Sequence, residues 1–342
     1  MPDDASPTQE YQIFDPERQE IRVVVVKPPK RRYWLHVLLF LVTLLSTLCV
    51  GARLQFEFNR NLNFFPFSDE SWFIPWTWTL SDWHRLRLGI PFSFCLLGIL
   101  TAHELGHYVL CMRRKVHATW PFFIPFPSLI GTMGAFIRIR SPIRNRRDLF
   151  DIGIAGPIAG FLVAIPVMMF ALPACKPVTP ETQDSAIFGI PLIFKLAQYL
   201  FASAGSNAAI AQLGAGQLVF HPAALAAWVG MFATALNLIP GGQLDGGHIV
   251  FGIHPRSHRL VTVLAIAVLL PLAWFFWAGW LLWAVVLRLT GRHPEVPNFP
   301  DLDLKRRVLA VFGLLMLVLT FSYNPLPGGL GDFLQHWLHG SK

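Results

Sequence analysis

Apolar residues fall along this chain in blocks, and the polar residues collect between the blocks instead of alternating with them. Blocks at about 34–52, 88–112, 150–173, 222–239 and 260–287, with a short one at 308–323, approach or exceed the run of about 20 residues a helix needs to cross hydrocarbon. Residues 1–33 read as a polar tail of mixed charge, too long and too acidic for the start of a signal peptide. Residues 116–150 are broken by Pro121, Pro125, Pro127 and Pro142, which rules out a spanning helix. Within them Ala135–Arg140 alternates with period two and follows Gly131 and Gly134, predicting a strand after a turn. Ile187–Ala202 is apolar but holds Lys195 and Gln198, predicting an amphipathic helix on the outer surface. The 260–287 block has Arg256 and Arg259 before it and Arg288 and Arg292 after it. Basic residues at both ends predict a hairpin turning near Pro271–Gly279, with a single tilted span as the competing reading.

Composition and charge agree with this pattern. Of 342 residues, 54% are apolar and 14% charged, against about a quarter charged in a soluble domain. The fold class is therefore an all-α polytopic membrane protein with one short strand at its surface. The net charge of +8 lies in clusters at block ends, such as Lys27, Lys30, Arg31 and Arg32, or Arg113, Arg114 and Lys115. Such clusters encode topology and give no reason to expect nucleic acid as a partner. They predict that the N-terminus and the loops at 113–149 and 241–259 face the cytoplasm. The aromatic stretch 53–87, with Phe64, Phe65, Trp72, Trp76, Trp78 and Trp83, becomes an outer interfacial loop. Four scattered cysteines form no C-x-x-C and no disulfide framework.

One block carries chemistry. Between Ile90 and Met112 the one charged residue is Glu104, inside His103-Glu104-Leu105-Gly106-His107. Residues four apart on a helix differ by about 40° in direction, so both imidazoles can address one zinc ion. Glu104 lies beside them, where it can take a proton from water that the metal activates. A carboxylate at membrane depth is costly enough to imply a function. Catalytic zinc needs a third protein ligand, and the best candidate lies in Asn237-Leu238-Ile239-Pro240-Gly241-Gly242-Gln243-Leu244-Asp245-Gly246-Gly247-His248. Pro240 and the glycines stop regular helix there and free backbone amides. Asp245 is preferred as the ligand because a buried carboxylate needs a cation to offset its desolvation. His248 is the alternative, and Gly246-Gly247 are expected to break the helix that would align the two. Asn237 is a candidate for binding substrate backbone.

These stretches resemble a known family. H-E-L-G-H at 103–107, G-I-A-G-P-I-A-G at 153–160 and N-x-x-P-x-x-x-L-D-G at 237–246 are similar to the intramembrane zinc metalloproteases of the site-2 protease family. Gly131-Thr132-Met133-Gly134-Ala135 resembles that family's membrane-dipping hairpin. The resemblance implies a single zinc held by His103, His107 and Asp245, with Glu104 as catalytic base. Asn237 and Pro240 would help hold substrate, and edge pairing along the hairpin would add Gly134 and Ala135. It also implies a three-helix catalytic core, the second, third and fourth spans, with a small membrane-associated β-hairpin, all within 88–259; around it lie the tail at 1–33, a first helix and outer loop at 34–87, and further transmembrane helices over 260–342. The 48 residues from 174 to 221 are too few for the periplasmic PDZ domain of many members. The implied function is endoproteolysis of single-pass membrane proteins in the lipid bilayer, as in regulated intramembrane proteolysis, in a bacterial inner membrane. A membrane metal transporter and a catalytically silent chaperone or binding protein are the other readings, the latter disfavoured by an intact Glu104. The identity of the substrate and the oligomeric state leave no signature in the sequence.

Overall fold

The computed structural model describes residues 9–15, 20–26, 33–62, 76–178, 188–203, 218–291, 296, 301–326 and 328–331. The basic cluster at 27–32 and the aromatics Phe64, Phe65 and Trp72 lie outside the described residues. The stretch read as a tail holds an antiparallel hairpin of β1 (Gln9–Asp15) and β2 (Glu20–Val26). The run Val23–Val26 carries the β-branched residues that favour strands.

Helix α1 (Tyr33–Arg60) extends eight residues past the predicted span end at 52. It carries polar residues that far because Arg53 Nε and the buried Glu57 carboxylate pair one turn apart at 2.5 Å. A short α2 (Trp76–Leu80) and a 3-10 segment (Trp83–Gly89) lead into α3 (Ile90–Arg113), which starts with proline in its first turn. Helices α1 and α3 meet closely, with Thr47 and Ser93 hydroxyls 2.6 Å apart.

Beyond α3, β3 (Phe122–Pro125) and β4 (Thr132–Phe136) pair antiparallel with Phe122 opposite Phe136. The strand thus begins and ends three to four residues before the predicted Ala135–Arg140; Ala135 and Phe136 lie in β4, and beyond it the pairing goes on as a bridge from Ile139 to Ala118, with the Arg140 N–H donating to the His117 carbonyl at 2.7 Å. Helix α4 (Arg146–Ala171) is capped by the Asn145 side chain on the Asp148 N–H. Then come β5 (Lys176–Pro177), α5 (Leu192–Ser203) and β6 (Leu218–Val219), with β5 and β6 paired. At twelve residues α5 rises about 18 Å, too short to cross.

The remaining helices are α6 (Pro222–Asn237), α7 (Asp245–Ile253), α8 (Pro255–Phe275), α9 (Gly279–Leu289) and α10 (Leu304–Thr320). Helices α8 and α9 turn back on one another at Phe276–Ala278, so the 260–287 block is a hairpin and not one tilted span. Among the described residues four helical stretches are long and apolar enough to cross a membrane: Tyr33–Arg60, Trp83–Arg113, Arg146–Ala174 and Pro255–Phe275. The predicted fourth span is a helix of sixteen residues, shorter than those four.

Helices α3, α4 and α6 pack on one another at the centre. Sequence explains why α6 is the innermost: Ala224, Leu225, Ala226, Ala227, Met231 and Ala235 are buried, so small apolar groups surround it on all sides. At the Arg113 end, Asp151 of α4 accepts from Arg114 at the end of α3 and from Arg306 of α10 (2.7 Å). Arg306 also pairs with Asp303, the N-cap of α10, at 2.8 Å. Charges thereby tie three helices together at one end of the bundle.

Candidate metal centre

The centre is built from the middle of α3 upward. Gly106 sets α3 against α4: a Cβ added there would lie 2.5 Å from the Ala155 carbonyl oxygen, so the two backbones touch. The contact face continues through the two glycines of the G-x-x-x-G. A Cβ at Gly156 would come 2.0 Å from His107 Nε2, and one at Gly160 3.1 Å from His103 Cβ. A G-x-x-x-G gives room for a neighbouring helix, and here it is also room for two imidazole rings.

His103, Glu104 and His107 are all buried. His107 Nδ1 donates to the Ile152 carbonyl of α4 at 2.7 Å, so its proton is on that nitrogen and Nε2 presents a bare lone pair. His107 Nε2 lies 3.2 Å from His103 Nε2, and each lies 3.2 Å from Asp245 Oδ2. Three electron-rich atoms in an equal triangle, away from water, repel one another unless a cation stands over them. Ligands about 2.0–2.1 Å from a tetrahedral ion lie about 3.3–3.4 Å apart, close to the observed triangle. Two imidazoles, a carboxylate and an open fourth position make a donor set that catalytic zinc takes. Asp245 is the first residue of α7, where the helix dipole also favours a carboxylate.

The turn between α6 and α7 is held from outside the three-helix core. Gly242, at φ +57°, donates its N–H to Thr262 Oγ1 of α8 (3.2 Å) and accepts from His258 Nε2 (2.9 Å). Gln243 N–H reaches Thr290 Oγ1 after α9 at 3.4 Å. The α8–α9 hairpin thus grips the segment that delivers Asp245.

One expectation is overturned here. Gly246 and Gly247 do not break the helix; they lie inside α7. They are glycines for space, since a Cβ at Gly246 would fall 2.2 Å from the Leu238 carbonyl oxygen and one at Gly247 2.3 Å from that of Gly242. His248 accordingly shares α7 with Asp245 and lines the same cavity, but the close three-atom group comprises His103, His107 and Asp245.

A cavity of about 220 Å³ opens on the triangle, lined among others by Glu104, Ile137, Gly153, Gln243 and His248. The Glu104 carboxylate accepts the Ile137 N–H from the chain just after β4. Asn237 Nδ2 lies 3.3 Å from His103 Nε2. Ala135 lines the cavity, and Gly134, at φ +101°, lines a second one adjoining it. Pro240 lies in the turn and borders neither cavity; its part is to end α6. The parts of Ile137, Gln243, His258, Thr262 and Thr290 were not foreseen. The polar pair His258 and Thr262, four apart at the head of an apolar helix, was the available signal.

The sequence model of peptidase family M50 matches residues 91–276, more than half of the chain and all of the elements just described from α3 to α8. The chain belongs to peptidase family M50. Its curated relatives include the probable zinc metalloprotease EGY1, chloroplastic, of Arabidopsis thaliana, 28% identical over 309 residues covering 88% of this chain and 55% of that protein. The probable zinc metalloprotease EGY2, chloroplastic, of the same plant is 28% identical over 237 residues, 69% of this chain and 41% of its own length. The chloroplastic EGY1 of Oryza sativa subsp. japonica is 28% identical over 234 residues, 68% and 40%. The chain spans about half the length of the curated relatives it matches. The M50 family and the apolar helices agree on an integral, polytopic membrane protein.

Proposed function

We propose that this M50 chain is a zinc-dependent endopeptidase that cuts single-pass membrane proteins within or at the edge of the bilayer. The observation that carries the reading is the 3.2 Å triangle of His103, His107 and Asp245 donor atoms with Glu104 beside it on a buried helix. His103, His107 and Asp245 hold the zinc, as the fit of their spacing and donor chemistry supports. Bound there, zinc supplies Lewis acidity that polarises a peptide carbonyl and acidifies water.

The chain's own groups do the rest. Glu104 is oriented by the Ile137 N–H, takes the proton of the attacking water and returns it to the leaving amine. A helical substrate hides its carbonyls in internal hydrogen bonds, so it must unwind before attack. Among the described residues β4 pairs with one strand, β3, and its other edge, at Gly134 and Ala135, offers backbone to an extended segment. Asn237 donates its side-chain amide to substrate backbone. The arginine-rich stretch around Arg138–Arg147 and the N-terminus lie on the cytoplasmic side, as their charge favours. Cleavage there would release a cytoplasmic fragment, the logic of regulated intramembrane proteolysis.

The test is cleavage of a model transmembrane peptide by purified, reconstituted protein, with metal analysis alongside. Glu104→Gln keeps size and polarity but cannot take the proton, so cleavage falls by 10²–10⁴ or more while zinc content holds. Loss of zinc in that variant, or full activity after chelation, overturns the assignment.

A further inference from the structure

A second cavity, of about 120 Å³, meets the first at the metal centre, and the two share His103, Glu104, Ala135 and Asn237. They leave the centre in opposite directions. The larger cavity follows Ala135–Ile139 toward the Arg113 end of α3. The smaller one runs past Met133 and Gly134 to Ile99 and Leu100, a turn deeper on α3, and to Gly230 and Ala233, one to two turns deeper on α6. An extended segment lying along β4 with a peptide bond at His103 and Glu104 would place one flanking side chain over each cavity. Successive strand side chains alternate in direction, so the one facing the deeper cavity enters it.

Besides the shared polar residues His103, Glu104 and Asn237, the walls of the smaller cavity are Ile99, Leu100, Met133, Ala233, Leu236 and Trp283, with Thr234 the one hydroxyl residue on α6. Thr234 already donates to the Gly230 carbonyl at 2.9 Å, so its hydrogen is not available to a substrate. A cavity of about 150 Å³ with apolar walls just holds benzene. At about 120 Å³ this one is smaller and is sized for a branched or linear aliphatic group. Trp283 closes it from α9, outside the residues 91–276 matched by the family.

We propose that this cavity is the specificity pocket for one residue flanking the scissile bond, that it selects an aliphatic side chain over an aromatic one, and that Ala233 and Trp283 set its size. The proposal rests on the proteolytic reading above. Removing or adding one methylene in such a pocket changes selectivity by about 10–200-fold.

The experiment uses the full chain in proteoliposomes and transmembrane peptides varied to Ala, Leu or Phe at each residue flanking the mapped cleavage site. Wild type should prefer Leu to Phe by at least about tenfold in kcat/KM at one of the two positions. Ala233→Leu fills the pocket and should shift that position's preference to Ala. Trp283→Ala opens it and should admit Phe, with the other flanking position unaffected. The same peptides, carrying a fluorophore, are titrated against Glu104→Gln and its double variants, where binding is read without turnover. Absence of cleavage by wild type would count against proteolysis, while the binding ranking would still test the pocket. An unchanged ranking in both size variants, or equal binding of Leu and Phe peptides by the Glu104→Gln protein, overturns the pocket.

Discussion

Gly156 of α4 leaves room for nothing but the His107 imidazole: a Cβ there would sit 2.0 Å from Nε2, the atom that faces His103 and Asp245. The ring cannot retreat, because Nδ1 on its far side is tied to the Ile152 carbonyl at 2.7 Å. Gly156→Ala should therefore lose most of its bound zinc with helical content unchanged, read by metal analysis and circular dichroism of the same sample. Gly160→Ala meets His103 at 3.1 Å and asks for a shift of a few tenths of an ångström, so it should keep more metal. Equal zinc in Gly156→Ala and wild type would mean that His107 does not hold the ion.

Asp245 and His248 can be separated directly. Asp245→Ala removes one corner of the triangle and should abolish both zinc and cleavage. His248→Ala removes a cavity wall and should retain zinc with part of its activity. The reverse outcome would exchange their roles.

Thr262 tests the grip of the α8–α9 hairpin. Thr262→Val keeps the shape but leaves the buried Gly242 N–H without its acceptor, at a cost of about 1–3 kcal/mol. The melting temperature in detergent should fall, and zinc should dissociate faster because the turn ahead of Asp245 is looser. Thr290→Val, serving the more exposed Gln243 N–H, should do less. Identical zinc dissociation from the Thr262 variant and wild type would show that the hairpin does not steady the ligand.

Orientation follows from labelling. In a cysteine-free background, His84→Cys should react with an impermeant thiol reagent added outside sealed cells, and Arg256→Cys should not; both positions are exposed. Labelling at 256 from outside would invert the topology proposed above.

Much of the site was legible because its signals are local. Four-residue spacing on one helix fixes where His103 and His107 point, and a carboxylate in an apolar block marks itself. What stayed illegible depends on partners distant in sequence. Past β4 the Arg138 N–H goes to the Thr119 hydroxyl and not to a backbone carbonyl, a partner distant in sequence. Gly246 and Gly247 look like helix breakers by propensity, yet they are required within α7 by carbonyls of the preceding turn. Arg53 and Glu57 look like the end of a hydrophobic span, and their pairing lets α1 run on. The polar pair His258 and Thr262 marks the head of α8 as more than a lipid-facing span, but nothing local to Trp283 says that the hairpin will fold back to the metal centre.

The seventeen residues of α10 rise only about 25 Å, while hydrocarbon is about 30 Å thick. Its outward face, Val308, Val311, Leu315 and Val318, is nevertheless exposed as lipid-facing helices are. Where α10 serves as the short last span that its sequence predicts, a thick bilayer must dimple, and the strain of that mismatch falls on the helix whose Arg306 shares Asp151 with Arg114, at the foot of the helix bearing His103 and His107. Lipid chain length thereby gains leverage on the catalytic helix, and turnover in short-chain phosphatidylcholine should exceed that in long-chain vesicles of the same headgroup.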